Sequence, residues 1–351
     1  MKTKELIRIC KDYFIKIGYS EKAPKGLLNP HYPNTYNPCS GHSEITELAH
    51  SHKLKLPVNW ITLEPIFRHL DAQKVGVSKY HSSFFEMLTY VDARNCEKSS
   101  KEKIILEQIG LYKELGINIK ELHVTTFNGF KLLGKKIPAD EESKKIWTQL
   151  LGRNKVHALK STSNIEFWLQ EGEQAGPRCE IFLEKNESLF EIGTIVFDNH
   201  IYTKGSFKRI PNSIYGGAGG IERLEMAVNN YNSIRQVETI KHIDEIVKTK
   251  SQAGNLRFLE YELITASDGL KSGLLITAEG QEKTTKTRRG QGLSKIVRNT
   301  KRALEKLNIR EYEEICSDVA YSLEKMYGER YKFYKDINPE NMINYLQRTK
   351  L

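Results

Sequence analysis

The chain has 351 residues, a net charge of +10 and five scattered cysteines without a CxxC pair. That length suits one large and one smaller domain and a core that needs neither disulfides nor metal, so the thiols read as free in a reducing compartment. The charged start Met1-Lys2-Thr3-Lys4-Glu5, and the lack of any run near about 18 apolar residues, argue against a signal peptide or membrane span and predict a cytoplasmic protein whose charge favours polyanions.

Leu6, Ile9, Cys10, Tyr13, Phe14 and Ile17 recur at helical spacing before Gly18, which predicts a helix over 3–17. Pro24, Pro30, Pro33 and Pro38 mark a loop over 24–42. Two strand-like runs, 61–68 and 84–91, flank a basic loop containing Gly76 and predict an antiparallel pair with a long connection. A helix over 100–115, a strand over 121–127 and a helix over 139–151, opened by Pro138 and the acidic Asp140-Glu141-Glu142, come next. Strands over 165–169, 179–183 and 189–197, a glycine-rich turn over 216–220 and a helix over 221–229 complete a first region, 1–235. Strands interrupted by helices without βαβ alternation predict an α+β fold with an antiparallel sheet. Lysine-rich helical patterns then mark a smaller, basic helical domain, 236–351.

Three segments carry chemistry. Arg68, at a strand end facing Phe85 on the neighbouring strand, can hold a phosphate by bidentate charge-assisted bonds while the ring stacks on a base. The plainer reading is a surface arginine beside core phenylalanines. Gly216-Gly217-Ala218-Gly219-Gly220 lets a ligand approach backbone, and the helix that follows favours an anion near its first-turn Arg223; the alternative is an ordinary glycine turn. Glu180 and Glu191 sit among apolar strand neighbours, where a carboxylate is costly unless paired or bound to a cation such as Mg²⁺ on nucleotide phosphates. Either could instead face solvent on an amphipathic strand.

An arginine, then a loop and His81-Ser82-Ser83-Phe84-Phe85-Glu86-Met87-Leu88, then Gly220-Ile221-Glu222-Arg223-Leu224, resemble the second and third signature motifs of class II aminoacyl-tRNA synthetases. The alanyl-tRNA synthetases look most similar, with their HHTFFEML segment. Ile137-Pro138-Ala139-Asp140-Glu141-Glu142, Phe167-Trp168, Gly176-Pro177, Glu180-Ile181, Glu191-Ile192 and Val196-Phe197 match them in the same order. The resemblance implies a class II synthetase-like antiparallel sheet flanked by helices, with no room for that family's editing and C-terminal domains. It implies ATP and Mg²⁺ as cofactors, an amino acid or related carboxylic acid as substrate and tRNA as acceptor, in a monomer or homodimer with no membrane partner. Arg68 would hold the α-phosphate and substrate carboxylate, and Phe85 and Arg223 would enclose the adenine beside Gly220. His81 and Glu86 would help place ATP, and Glu191, with Glu180, would serve Mg²⁺ or the substrate. Trp168, Gly193, Thr194, Val196 and Gly216 would form the amino-acid pocket.

The departures concentrate in that pocket. Gly216 replaces the family's ammonium-binding aspartate, Gly193 and Thr194 replace a tryptophan and an asparagine, and Tyr80 replaces an arginine. Glu86, Glu173 and Asp198 are the candidate replacements for the lost carboxylate, and Gly193 is expected to enlarge the pocket if it lines it. Between Lys283 and Arg302 stand eight lysines and arginines and no acid. Arg289-Gly290 onward resembles the family's acceptor-stem helix. With Leu293, Ile296, Val297, Ala303, Leu304 and Leu307 on one face, Lys295, Arg298 and Arg302 lie opposite, and Arg288 and Arg289 extend a predicted RNA-binding surface. A solvated helix face is the plainer reading. Cys39 and His42 are too few ligands for a zinc site. The expected activity is formation of an aminoacyl-adenylate and its transfer to tRNA. A carrier protein, peptide or small molecule as acceptor, and a non-catalytic RNA-binding or regulatory module, are the rivals.

Overall fold

A computed structural model describes the chain except for residues 31–34, 38–40, 42–44, 46–54, 70, 99, 133–134, 161–166, 169–173, 186, 205 and 284–285. Helix α1 (Thr3–Lys16) buries Leu6, Cys10 and Phe14 of the predicted stripe together with Ile7, while Ile9 and Tyr13 are half-buried and Ile17 is exposed. Strand β1 (Ser20–Glu21) pairs in parallel with β2 (Val58–Phe67), which runs antiparallel to β3 (Phe84–Asn95) with Phe67 opposite Phe84. Helix α2 (Lys101–Glu114) starts where the Ser100 side chain accepts from the Lys103 amide. After β4 (Leu122–Phe127) and a short hairpin of β5 (Phe130–Leu132) and β6 (Lys135–Ile137), α3 (Glu141–Leu151) is capped by Asp140, which accepts from the Ser143 amide. Strands β7 (Val156–Leu159), β8 (Phe167–Trp168), β9 (Gln174–Lys185), β10 (Ser188–Thr203) and β11 (Ser206–Gly220) lead into α4 (Ile221–Val228).

The main sheet has the order β1-β2-β3-β11-β10-β9-β4-β7, with β8 beside β9. Its pairings are antiparallel except β1 with β2 and β4 with β7. The fold is α+β. Helices α1, α2 and α4 share a core with one face of the sheet, around Leu88, Tyr90, Ile181, Ile195 and Phe197. The opposite face is left open to a cavity.

Residues 216–220 correct the sequence reading. They are not a turn but the end of β11, with Gly216 opposite Val91 and Gly220 opposite Met87. Glycines usually weaken a strand, but here they admit a neighbour. A β-carbon on Gly217 would lie 2.6 Å from Cε1 of Tyr90, whose ring fills that space.

Helices α5 (Glu238–Lys250), α6 (Glu260–Ala278), α7 (Arg288–Lys306), α8 (Tyr312–Tyr327) and α9 (Glu340–Arg348) pack around a second core that includes Leu270, Leu274, Val297, Leu304 and Leu323. Phe67 and Phe84, from the adjoining ends of β2 and β3, belong to this core too. Helix α7 buries Leu293, Val297, Thr300, Ala303 and Leu304, close to the predicted face. Among the described residues no helix is long and apolar enough to cross a membrane.

Candidate active site

Side chains alternate along a strand, so Phe85, Met87 and Thr89 of β3 line one cavity of about 220 Å³ on the open face of the sheet. Across the strands it is bordered by Arg68, His81, Arg178, Glu180, Glu191, Gly193, Thr194, Val196, Gly216, Gly220 and Arg223. Arg68, His81, Phe85, Glu180, Glu191, Gly193, Thr194, Val196, Gly216, Gly220 and Arg223, singled out from the sequence, therefore meet in one place, although they span 156 positions.

A register shift in β10 produces part of this convergence. Glu191 pairs with Phe182 and Gly193 with Ile181, leaving Ile192 as an extra residue in the ladder. The bulge places odd-numbered Glu191 on the cavity side together with even-numbered Thr194 and Val196. Glu191 accepts from Arg223 Nη1 at 2.7 Å, and the Arg68 guanidinium lies 5.4 Å from the Phe85 ring centre. His81 contacts the Ser78 hydroxyl through Nδ1 at 2.7 Å, and burial followed by the Arg223 charge lowers its pKa, favouring the neutral ring.

Glu180 is buried beside Glu191. It receives the Thr194 hydroxyl at 2.5 Å and pairs with Arg178 at 2.6 Å. Burial, then the Glu191 charge, pushes the Glu180 carboxyl up to about 8. Burial also acts to raise Glu191, but Arg223, a hydrogen bond with Glu180 and the Arg68 charge together hold it below its ordinary value. The pair thus keeps a proton on Glu180 and a charge on Glu191 near neutral pH. Arg178 was not singled out from the sequence. Its position two residues before Glu180 on the same strand was the available signal.

That proton has a measurable consequence. Folding retains a proton on Glu180 between the ordinary carboxylate range and about pH 8 that the unfolded chain releases, so this residue lowers stability as pH rises through that window. Relative to the unchanged protein, Glu180→Gln gains stability from about pH 5 to 8, with a slope of at most ~1.4 kcal/mol per pH unit. Chemical denaturation at several pH values measures the difference; parallel profiles would rule out the retained proton.

Not every residue singled out from the sequence borders the cavity. Glu86 is on the reverse face of β3 from Phe85, where its carboxylate receives Arg330 Nε at 2.9 Å, Arg330 Nη2 at 2.8 Å and the Tyr331 hydroxyl at 2.7 Å. Strand alternation turns it away from the cavity, so it does not stand in for the missing acid. Trp168 lies in β8, with its side chain outside the described residues, as are Glu173, Cys39 and His42. Asp198 is buried and does not border the cavity.

The departures from the family pattern acquire physical reasons. A β-carbon on Gly216 would collide with the Tyr90 carbonyl oxygen, so β11 cannot present an acid there unless the strands separate. A β-carbon on Gly193 would meet the buried Tyr112 hydroxyl and lie 3.2 Å from the Ala218 carbonyl oxygen. The expected extra room at Gly193 is therefore taken by Tyr112. Tyr80 stacks on Phe190 at 5.3 Å, at the rim.

On α7, Arg288, Lys295, Arg298 and Arg302 are exposed. Arg289 is instead a structural tie, donating to the Asn29 and Thr35 carbonyl oxygens at 2.7 Å each. Burial, then the charges of Arg298 and Lys301, lowers the Lys283 pKa, a sign of concentrated positive charge. The described cysteines Cys10, Cys96, Cys179 and Cys316 are free, and among the described residues no group of three or more His, Cys, Asp or Glu side chains forms a metal site.

No family model matches the chain. It is 24% identical over 307 residues to an alanine–tRNA ligase of Listeria welshimeri, an alignment covering 79% of this chain and 32% of that protein. It is 26% identical over 267 residues to an alanine–tRNA ligase of Buchnera aphidicola subsp. Schizaphis graminum, covering 69% and 28%. The chain thus spans about a third of the length of the curated relatives it matches. A solved apo histidyl-tRNA synthetase from S. aureus aligns with a TM-score of 0.43 and 11% identity over 67% of this chain and 68% of the other. In sequence the chain resembles part of an alanine–tRNA ligase, and its fold is α+β.

Proposed function

We propose that this cavity activates an amino acid with ATP and that the product is transferred to tRNA. The observation that carries the reading is the meeting of Arg68, Phe85, Glu191 and Arg223 around one opening. The adenine stacks between Phe85 and Arg223, and Arg68 holds the α-phosphate and the substrate carboxylate. A carboxylate oxygen of the substrate attacks the α-phosphorus in line, the bond to the bridging oxygen breaks, and pyrophosphate leaves. Catalysis consists of positioning and charge stabilisation, so no side chain acts as nucleophile.

Mg²⁺ carried on nucleotide phosphates needs only one or two protein carboxylates, and Glu191, the charged member of the pair, would supply one. When bound, the ion would neutralise phosphate charge. The amino acid lies toward Thr194, Val196 and Gly216, where Glu180 and Glu191 are the nearby acids of the cavity wall. ATP–pyrophosphate exchange across a panel of amino acids, including non-proteinogenic ones, tests the reading. Exchange with none of them, in folded protein that binds ATP, would refute amino-acid activation.

The tRNA acceptor is supported by the sequence similarity to alanine–tRNA ligases and by the exposed basic face of α7. Replacing Lys295, Arg298 and Arg302 together by alanine is expected to weaken tRNA charging by roughly tenfold or more, through lost phosphate contacts, and to leave exchange unchanged. Undiminished charging would exclude this face as the tRNA contact.

A further inference from the structure

Phe85 faces the cavity, but the residues on both sides of it are gripped from behind by the helical region. The Asp268 carboxylate on α6 accepts from the Ser82 hydroxyl at 2.9 Å, from the Ser83 amide at 3.0 Å and from the Ser83 hydroxyl. Ser272, one helical turn on, shares a hydrogen bond with the Ser83 hydroxyl at 2.9 Å. Lys271 donates to the Phe84 carbonyl oxygen at 3.0 Å and to the Ser82 hydroxyl at 3.2 Å. Beyond Phe85, Glu86 is held by Arg330 and Tyr331.

These contacts fall where the sheet stops providing support. The β2–β3 ladder ends at the Phe67–Phe84 pair, so Arg68 lies just beyond its last rung. The Arg68 amide instead donates to the Ser83 carbonyl oxygen at 3.0 Å, and the Ser83 amide donates to Asp268. One buried carboxylate therefore braces Ser83, the residue whose carbonyl holds the Arg68 amide and which lies two residues from Phe85. Ser82, Ser83, Asp268, Lys271 and Ser272 are all buried, where removing one partner leaves polar groups that water cannot satisfy.

We propose that Asp268 is a positioning residue for nucleotide binding, through which α6 of the helical region sets the places of Arg68 and Phe85 in the cavity. The inference rests on the reading of that cavity as an ATP site. Contacts that merely joined two regions could be made anywhere along their boundary. These are made to Ser82, Ser83 and the Phe84 carbonyl, beside Phe85 and at the residue that holds the Arg68 amide.

The test uses the full chain with Asp268→Asn, which keeps the shape of the side chain and removes its charge. Calorimetric titration is expected to show ATP affinity about tenfold weaker, the scale of a slightly misplaced binding group. Hydrogen exchange at the Arg68 and Ser83 amides should accelerate while α1 keeps its protection. Combined with Phe85→Ala, Asp268→Asn should cost less further ATP affinity than it does alone, because part of its effect acts through that ring and the rest through Arg68. A lower melting temperature with unchanged ATP affinity would overturn the inference. Should Asp268→Asn fail to fold, Ser272→Ala removes a single hydroxyl partner of Ser83 and is expected to weaken ATP binding about two- to threefold; unchanged affinity there overturns it equally. Failure of the unsubstituted chain to bind ATP would reject the ATP site itself, whereas binding that Asp268→Asn leaves intact rejects only the positioning role.

Discussion

Arg68→Ala is expected to lower amino-acid-dependent ATP–pyrophosphate exchange by about a hundredfold or more, the usual scale for removing one preorganised group that stabilises transition-state charge. The Arg68 side chain is exposed at the mouth of the cavity, and its backbone amide, which the substitution retains, makes the bond to Ser83. The melting temperature should therefore stay close to that of the unchanged protein. Arg68→Lys keeps the charge but not the planar two-pronged donor, so it should recover only part of the loss. Full exchange by a folded Arg68→Ala protein would remove Arg68 from the mechanism.

The largest effect on stability is expected at Glu86. Its removal strands Arg330, whose side chain is only 18% exposed, and deprives the buried Tyr331 hydroxyl of its acceptor. Breaking one side of a buried ion pair costs about 3–5 kcal/mol, because the remaining charge has lost its partner without regaining water. Glu86→Ala should lower the denaturation midpoint accordingly. Replacing both Glu86 and Arg330 with methionine should recover much of that loss, since apolar side chains of similar size carry no stranded charge. A single replacement with no measurable destabilisation would contradict the buried pairing.

Several features of the site were legible in the sequence. A strand-end arginine facing an aromatic, and two carboxylates among apolar strand neighbours, identified Arg68, Phe85, Glu180 and Glu191, which now line one cavity, and the acid-free run on α7 identified exposed cations. The same alternation, applied to Glu86 and Phe85 together, separates their faces. It could not supply the destination of Glu86, because Arg330 lies 244 positions later. The bulge at Ile192 left no mark in composition, yet it decides the side on which Glu191 emerges. Gly216 to Gly220 read as a turn because glycine ordinarily interrupts strands; the Tyr90 ring that makes β11 possible belongs to another strand.

The sequence by itself determined the nearby relations: the spans of α1 and α7, the alternation of strand faces, and the residue types able to hold phosphate or cation. Each depends on neighbours within a few positions, whose spacing is written directly in the chain. Only the tertiary structure decided which charges were available to a ligand. Glu86 is taken by Arg330, Arg289 by the Asn29 and Thr35 carbonyls, and Asp268 by the serines behind Arg68 and Phe85. A charge withdrawn from water must find a partner wherever folding brings one, and local sequence spacing does not specify that encounter.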